Sequence, residues 1–194
     1  MPEITITPSN ADGDNKWYKT IPKVTITANS ALGENLVYTV AGAMQEEGGE
    51  KEKKVGFEGG KASFTLDVTK IGYTRITARV EGDGGKESKE ITEFIKYDNT
   101  KPYIIVDKLE PKGTYGENGW MTTEAEVKIE AEDTGSGVKG YTYEVVKVEG
   151  GTQTKIKESA NMIEKEVPIK IETDGEYVIK VTIHDNAGNK LEGQ

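Results

Sequence analysis

The chain has 194 residues, 34% hydrophobic and 30% charged, with a net charge of −9, which suits a folded chain with room for two units of about 100 residues each. It contains no cysteine, which excludes disulfide staples, Cys-ligated zinc and a thiol nucleophile. No apolar run approaches the roughly 18 residues of a membrane-spanning helix, and the acidic balance argues against nucleic acid and anionic lipid as partners.

In chain order, Met1 leads straight into Pro2 and a first strand without a leader pattern, so the expectation is an excised fragment with an added initiator Met. Residues 3–7 alternate. Residues 23–28 alternate cleanly, with Val24, Ile26 and Ala28 on one face. Strands follow at 35–41, 61–68, 72–81 and 87–97; the charged stretch 45–54 with Gly48-Gly49 is a loop or an edge, and 82–85 is a turn. Asp98-Asn99-Thr100-Lys101-Pro102 is a short, semi-rigid junction, because Pro102 fixes its own φ and pushes Lys101 towards an extended conformation. Beyond it, strands are expected at 103–108, 126–132, 140–148, 154–158, 164–171 and 175–184, the last with Tyr177, Ile179, Val181 and Ile183 inward. No segment has a helical period. Short strands separated by Gly/Asn/Asp turns describe an all-β chain of two tandem β-sandwiches, residues 1–97 and 98–194.

An internal repeat supports that division. Trp17, Thr20, Val24, Ile26 and Ala28 recur as Trp120, Thr123, Val127, Ile129 and Ala131, and Gly72, Ile76 and Gly85 as Gly175, Ile179 and Gly188, always 103 residues on. The matched tryptophans are expected to cover the edge of each core rather than to stack on sugars. The offset sets Gln194 against Ile91, while the first unit continues to Tyr97. The second unit is therefore expected to lack the end of its last strand and to show an open sheet edge, through truncation in preference to strand donation by a partner.

The second half carries the motifs Asp98-Asn99-Thr100-Lys101-Pro102, Ala131-Glu132-Asp133-Thr134-Gly135-Ser136-Gly137-Val138, Tyr141-Thr142-Tyr143-Glu144-Val145, and Asp174-Gly175-Glu176-Tyr177 with Asp185-Asn186-Ala187-Gly188-Asn189. With these it resembles a bacterial immunoglobulin-like repeat of large cell-surface and secreted proteins, which implies that the all-β chain is two tandem immunoglobulin-like β-sandwiches. The first half keeps the spacing but not Gly-Ser-Gly-Val. The resemblance implies a stalk, spacer or adhesin module outside the cell, beside further units of its kind, with no enzymatic activity. Tyr177 resembles the tyrosine-corner position of immunoglobulin folds; Thr74 stands there in the first half.

Candidate chemistry is sparse. His184 is the sole histidine and is expected on an outer face, with no nucleophile motif beside it and no phosphate loop in the chain. No catalytic residue is expected. Asp98 and Asn99 at the junction, with Asp133 and Asp185 in loops, are candidate calcium ligands, because calcium takes oxygen donors from loops. The alternative functional readings are a binding module that recognises a host protein or glycan through its loops, and an accessory domain of a secreted carbohydrate-active enzyme.

Overall fold

The computed structural model describes residues 2–31, 33–82, 88–105, 111–164 and 168–193. The chain is all-β, of immunoglobulin-like sandwich type, and separates into two compact units, Met1–Asn99 and Thr100–Gln194. The only helical pieces among the described residues that precede a tryptophan are two single 3-10 turns, Asp14–Lys16 and Glu117–Gly119. Among the described residues no helix is long and apolar enough to cross a membrane.

In the first unit, β1 (Glu3–Pro8), β3 (Lys23–Asn29) and β6 (Lys61–Asp67) form one sheet in the order β1-β3-β6. The facing sheet runs β2-β8-β7-β4-β5, from β2 (Trp17–Tyr18), β8 (Ile91–Tyr97), β7 (Gly72–Gly82), β4 (Gly33–Gly42) and β5 (Lys53–Gly56). The alternation in β3 puts Val24, Ile26 and Ala28 inward, where they are fully buried against Leu36, Ile76, Ala78, Val80 and Ile95 of the other sheet. The outward positions of the first sheet carry threonines that bond across strands, Thr5 to Thr27 at 2.7 Å and Thr25 to Thr65 at 2.9 Å.

The charged stretch 45–54 is turn and loop up to Glu52, then opens β5. Three of its carboxylates are tied to the sheet: Glu46 pairs with Lys53, Glu50 with Arg75 at 2.8 Å and Glu52 with Arg79 at 2.9 Å. These pairs face water, so each is worth about 0–1 kcal/mol. They also place charge along the edge strand, which discourages sheet-to-sheet association. The expected turn at 82–85 lies largely outside the described residues, as do the parts of the expected strands at 106–108 and 165–167, and Gln194.

Thr74 points into this core. Its side chain is fully buried and its hydroxyl has no hydrogen-bond partner among the described residues. A buried orphan hydroxyl costs about 1–3 kcal/mol. Thr74→Val keeps the shape and removes the orphan, so it should raise stability by about 1 kcal/mol; a lower melting temperature in calorimetry would contradict this.

In the second unit, β12 (Val138–Glu149), β13 (Thr152–Glu158), β15 (Glu176–Asp185) and β16 (Lys190–Gly193) make a sheet in the order β13-β12-β15-β16. The facing layer is broken into pairs: β9 (Tyr103–Ile104) with β11 (Ala131–Glu132), and β10 (Ala125–Val127) with β14 (Ile169–Ile171). The strand expected at 126–132 is thus two short strands. The two halves take different short partners, β14 for β10 and β9 for β11, and Pro168, which has no N–H for a ladder, stands immediately before β14. The core gathers Val127, Ile129, Tyr141, Val145, Ile169, Val181 and Ile183.

Candidate functional site

The two motifs that carry the resemblance fold against each other at one end of the second unit. Asp133 closes its own turn, with Oδ1 accepting N–H bonds from Gly135 at 3.1 Å and Gly137 at 2.7 Å. Asp185 does the same for the next loop, taking the N–H of Asn189 on Oδ1 at 2.8 Å and its side-chain amide on Oδ2 at 2.8 Å. The loops are then joined. Asn186 donates its Nδ2 to the carbonyls of Ser136 and Gly137, both at 3.0 Å, and its N–H to the Gly137 carbonyl at 3.0 Å. Ser136 Oγ accepts the N–H of Ala187 at 3.1 Å, and Ala187 is fully buried beneath the joint. Apart from the bond between the Asn189 amide and Asp185, the polar side chains of these motifs bind backbone here, which is what a turn needs.

Asp133 and Asp185 stand close together, with carboxylate oxygens within 4.8 Å of one another. Asp185 is fully buried and Asp133 partly buried. Asp98 and Asn99 close the first unit. Asp98 is buried, and its N–H donates to the Tyr18 carbonyl at 2.9 Å, whereas Asn99 is exposed. Two carboxylates at such a distance repel strongly unless a cation lies between them. A carboxylate offers about four lone-pair sites, so the turn bonds leave acceptor capacity for calcium.

Tyr177 sits at the start of β15 as the tyrosine-corner resemblance implies. Its hydroxyl donates back to the Asp174 carbonyl at 3.2 Å and bonds Thr173 Oγ1 at 2.7 Å. Gly175 makes this possible: at φ +149 it leaves space where a Cβ would lie 3.2 Å from the Tyr177 ring and 2.8 Å from Lys147 Cε. His184 is half-buried in β15, opposite Gly140 on one side and Lys190 on the other.

The tryptophans divide. Both follow the same local device: an extended glycine (Gly13, Gly116), a left-handed asparagine (Asn15 at φ 52, Asn118 at φ 57) and a hydrogen bond from the glycine N–H to the tryptophan carbonyl (2.9 and 2.7 Å). The signal is in the sequence as Gly-x-Asn-x-Trp in both halves, four residues earlier than the matched pattern read from Trp17 onwards. Trp17 is 3% exposed, as expected of a core cover. Trp120 is 62% exposed, which overturns that expectation for the second unit. The cause is the neighbouring strand. In the first unit β2 lies parallel to β8, Trp17 beside Lys96 and Tyr18 beside Tyr97, with Lys96 Nζ 5.4 Å above the Trp17 ring. In the second unit Met121 makes only an isolated bridge to Tyr115, and an open groove of about 760 Å³ runs past Trp120, Tyr115, Val127, Ile171, Tyr177 and Ile179.

The turn that leads to Trp17 carries its own cap. Asp12 accepts N–H bonds from Lys19 at 2.7 Å and Thr20 at 3.4 Å, and the Lys19 N–H holds its carboxyl below the ordinary carboxylate range. That contribution to stability is present above the unfolded-state pKa and is lost as pH falls through the folded one.

The chain matches no protein-family model and none of the curated proteins. Among solved structures it is similar to a tetra-tandem repeat in the extending region of a large adhesion protein, at 11% identity and a TM-score of 0.40, covering all of this chain and 48% of that one. The chain thus spans about half the length of that structure. It is also similar to the fibronectin(III)-like modules of Clostridium thermocellum CbhA (14% identity, TM-score 0.31, covering 98% of this chain and 90% of that one). The FN1–FN3 domains of chicken CNTN1 follow at 15% identity and a TM-score of 0.28, covering 96% and 65%. The structural neighbours are an adhesion-protein tandem repeat and fibronectin III-like modules.

Proposed function

We propose that the chain is a non-catalytic structural module, a stalk or spacer of tandem immunoglobulin-like units in a larger bacterial surface or secreted protein that supports adhesion. Its immediate partners are neighbouring units of the same kind, and its place is outside the cell. The observation that carries this reading is the loop joint of the second unit, where Asp133, Ser136, Asp185 and Asn186 are engaged with backbone groups of the two turns. The side chains that distinguish the motif hold loops in place. The experiment is retention of beads coated with the 194-residue chain on extracellular-matrix proteins and on an array of glycans. A spacer gives no retention above bare beads; saturable retention on one surface would replace the spacer with a binding module.

A second element is calcium. We infer a cation held by Asp133 and Asp185, supported by the closeness of their carboxylates, with Asp98 and Asn99 as further donors to be tested. Millimolar calcium is expected to raise the melting temperature over that in EDTA by about 5 °C, the shift that about 1 kcal/mol produces in a unit of roughly 100 residues. Asp133→Asn and Asp185→Asn should each remove the difference between the two conditions. Asp98→Asn and Asn99→Ala report whether the junction takes part. Equal melting in calcium and EDTA sinks the idea.

A further inference from the structure

The two tryptophan turns differ at the residue after the asparagine, and that residue decides a chemical reaction. The first turn reads Gly13-Asp14-Asn15-Lys16-Trp17 and the second Gly116-Glu117-Asn118-Gly119-Trp120. Asn118-Gly119 is the only Asn-Gly pair in the chain. Both asparagines are left-handed and exposed. Asn15 is exposed with β8 paired alongside β2, so exposure at this position belongs to the turn itself.

Asn118 sits at the tip of a hairpin. Lys112 and Glu126 exchange backbone bonds at 2.8 and 2.9 Å, the Thr122 N–H donates to the Thr114 carbonyl at 2.8 Å, and the Gly116 N–H donates to the Trp120 carbonyl at 2.7 Å. Gly119 stands at φ +78, and no atom lies within 4 Å of where its Cβ would be. Among the described residues no hydrogen bond holds the Asn118 side chain. The amides of Asn186 and Asn189 are by contrast bound, to the Ser136 and Gly137 carbonyls and to Asp185. Rotation about ψ of Asn118, 27° in the folded turn, carries the Gly119 nitrogen towards the side-chain Cγ, and glycine leaves that rotation unhindered. In the first unit the Lys16 side chain crowds the same approach at φ 63, and Lys96 Nζ donates to the Asn15 carbonyl and holds that peptide in place.

We propose that Asn118 is a site of spontaneous deamidation, with water as the co-reactant. The Gly119 nitrogen bonds to Asn118 Cγ as its proton leaves; the Cγ–Nδ2 bond breaks and ammonia departs. A cyclic succinimide remains, and water opens it at either of its carbonyls. Attack at Cγ gives aspartate. Attack at the main-chain carbonyl gives isoaspartate, with the chain then running through Cβ and Cγ. Nothing is oxidised or reduced. Either product adds a negative charge beside Glu117. Isoaspartate also lengthens the backbone between Gly116 and Trp120, whose hydrogen bond closes the tip. The tip opens, and the pairing within 112–126 frays from this end. Asn15, one repeat earlier, stays intact. This goes beyond the spacer reading and stands or falls separately from it.

The test is incubation of the whole 194-residue chain in mildly alkaline buffer, followed over time by ion-exchange chromatography, peptide mapping and methyl labelling with an isoaspartyl methyltransferase. A more acidic species is expected, with the label in the peptide that contains Asn118 and none above background in the peptide that contains Asn15. Its rate should rise with pH, because the attacking nitrogen must lose its proton. Gly119→Ala should slow the reaction about tenfold or more, since a Cβ hinders the approach of the nitrogen. Asn118→Gln, which keeps the amide on a longer side chain, should leave no label at this turn. Amide exchange at 114–122 should quicken in the separated acidic species. Label spread evenly over the asparagines overturns the proposal, as does a rate indifferent to Gly119→Ala. Unchanged exchange at 114–122 in the isoaspartate form overturns the opening of the tip.

Discussion

Trp17→Ala is expected to cost the first unit about 3–5 kcal/mol, and Trp120→Ala less than about 1 kcal/mol in the second, although the two residues occupy the same place in the repeat. Trp17 is 3% exposed, its ring meets Tyr73 edge-on at 5.3 Å, and Lys96 covers its other surroundings. Removing the indole there opens a cavity bounded by two strands that hold each other in register, so collapse into the space is limited. Trp120 has most of its surface in water already, and its loss leaves little new apolar area exposed. Urea unfolding followed by far-ultraviolet circular dichroism measures both without relying on the deleted fluorophore. Comparable losses at the two sites would mean that Trp120 is covered in solution.

Gly42→Ala is expected to destabilise by about 3 kcal/mol. Gly42 ends β4 at φ +79, where an L side chain is strained by about 1–2 kcal/mol. An added Cβ would also lie 2.3 Å from the Tyr73 carbonyl oxygen, which is backbone and already accepts the Ala43 N–H at 2.8 Å. The end of the β4–β7 ladder would have to open to admit the methyl group. Gly49→Ala is the control: φ is +100, but no atom stands within 4 Å of the new Cβ, so only the conformational share of about 1–2 kcal/mol remains. Thermal melting of both variants separates clash from backbone strain; equal shifts would show that the Tyr73 carbonyl yields freely.

Much of the architecture was legible from residue order. Period-two alternation in 23–28, 61–68 and 72–81 named the inward residues of β3, β6 and β7, because a pleated strand with one face on a core has no other way to hide Val24, Ile26, Ala78 and Val80. Gly-Ser-Gly-Val and Asp-Asn-Ala-Gly-Asn marked turns, because positive φ and side-chain capping are local properties of glycine, aspartate and asparagine. The constant offset of 103 residues located Trp120 and β15. What residue order could not supply was environment. Identical turns deliver Trp17 and Trp120, yet one is buried and the other exposed, since burial depends on whether a strand distant in sequence lies alongside. The nearness of Asp133 and Asp185 likewise required the closure of two loops about 50 residues apart, joined by the Asn186 and Ser136 bonds. Local conformation follows from the side chain and its neighbours in the chain; exposure and charge proximity follow from which strands pair, and only the assembled sheets decide that.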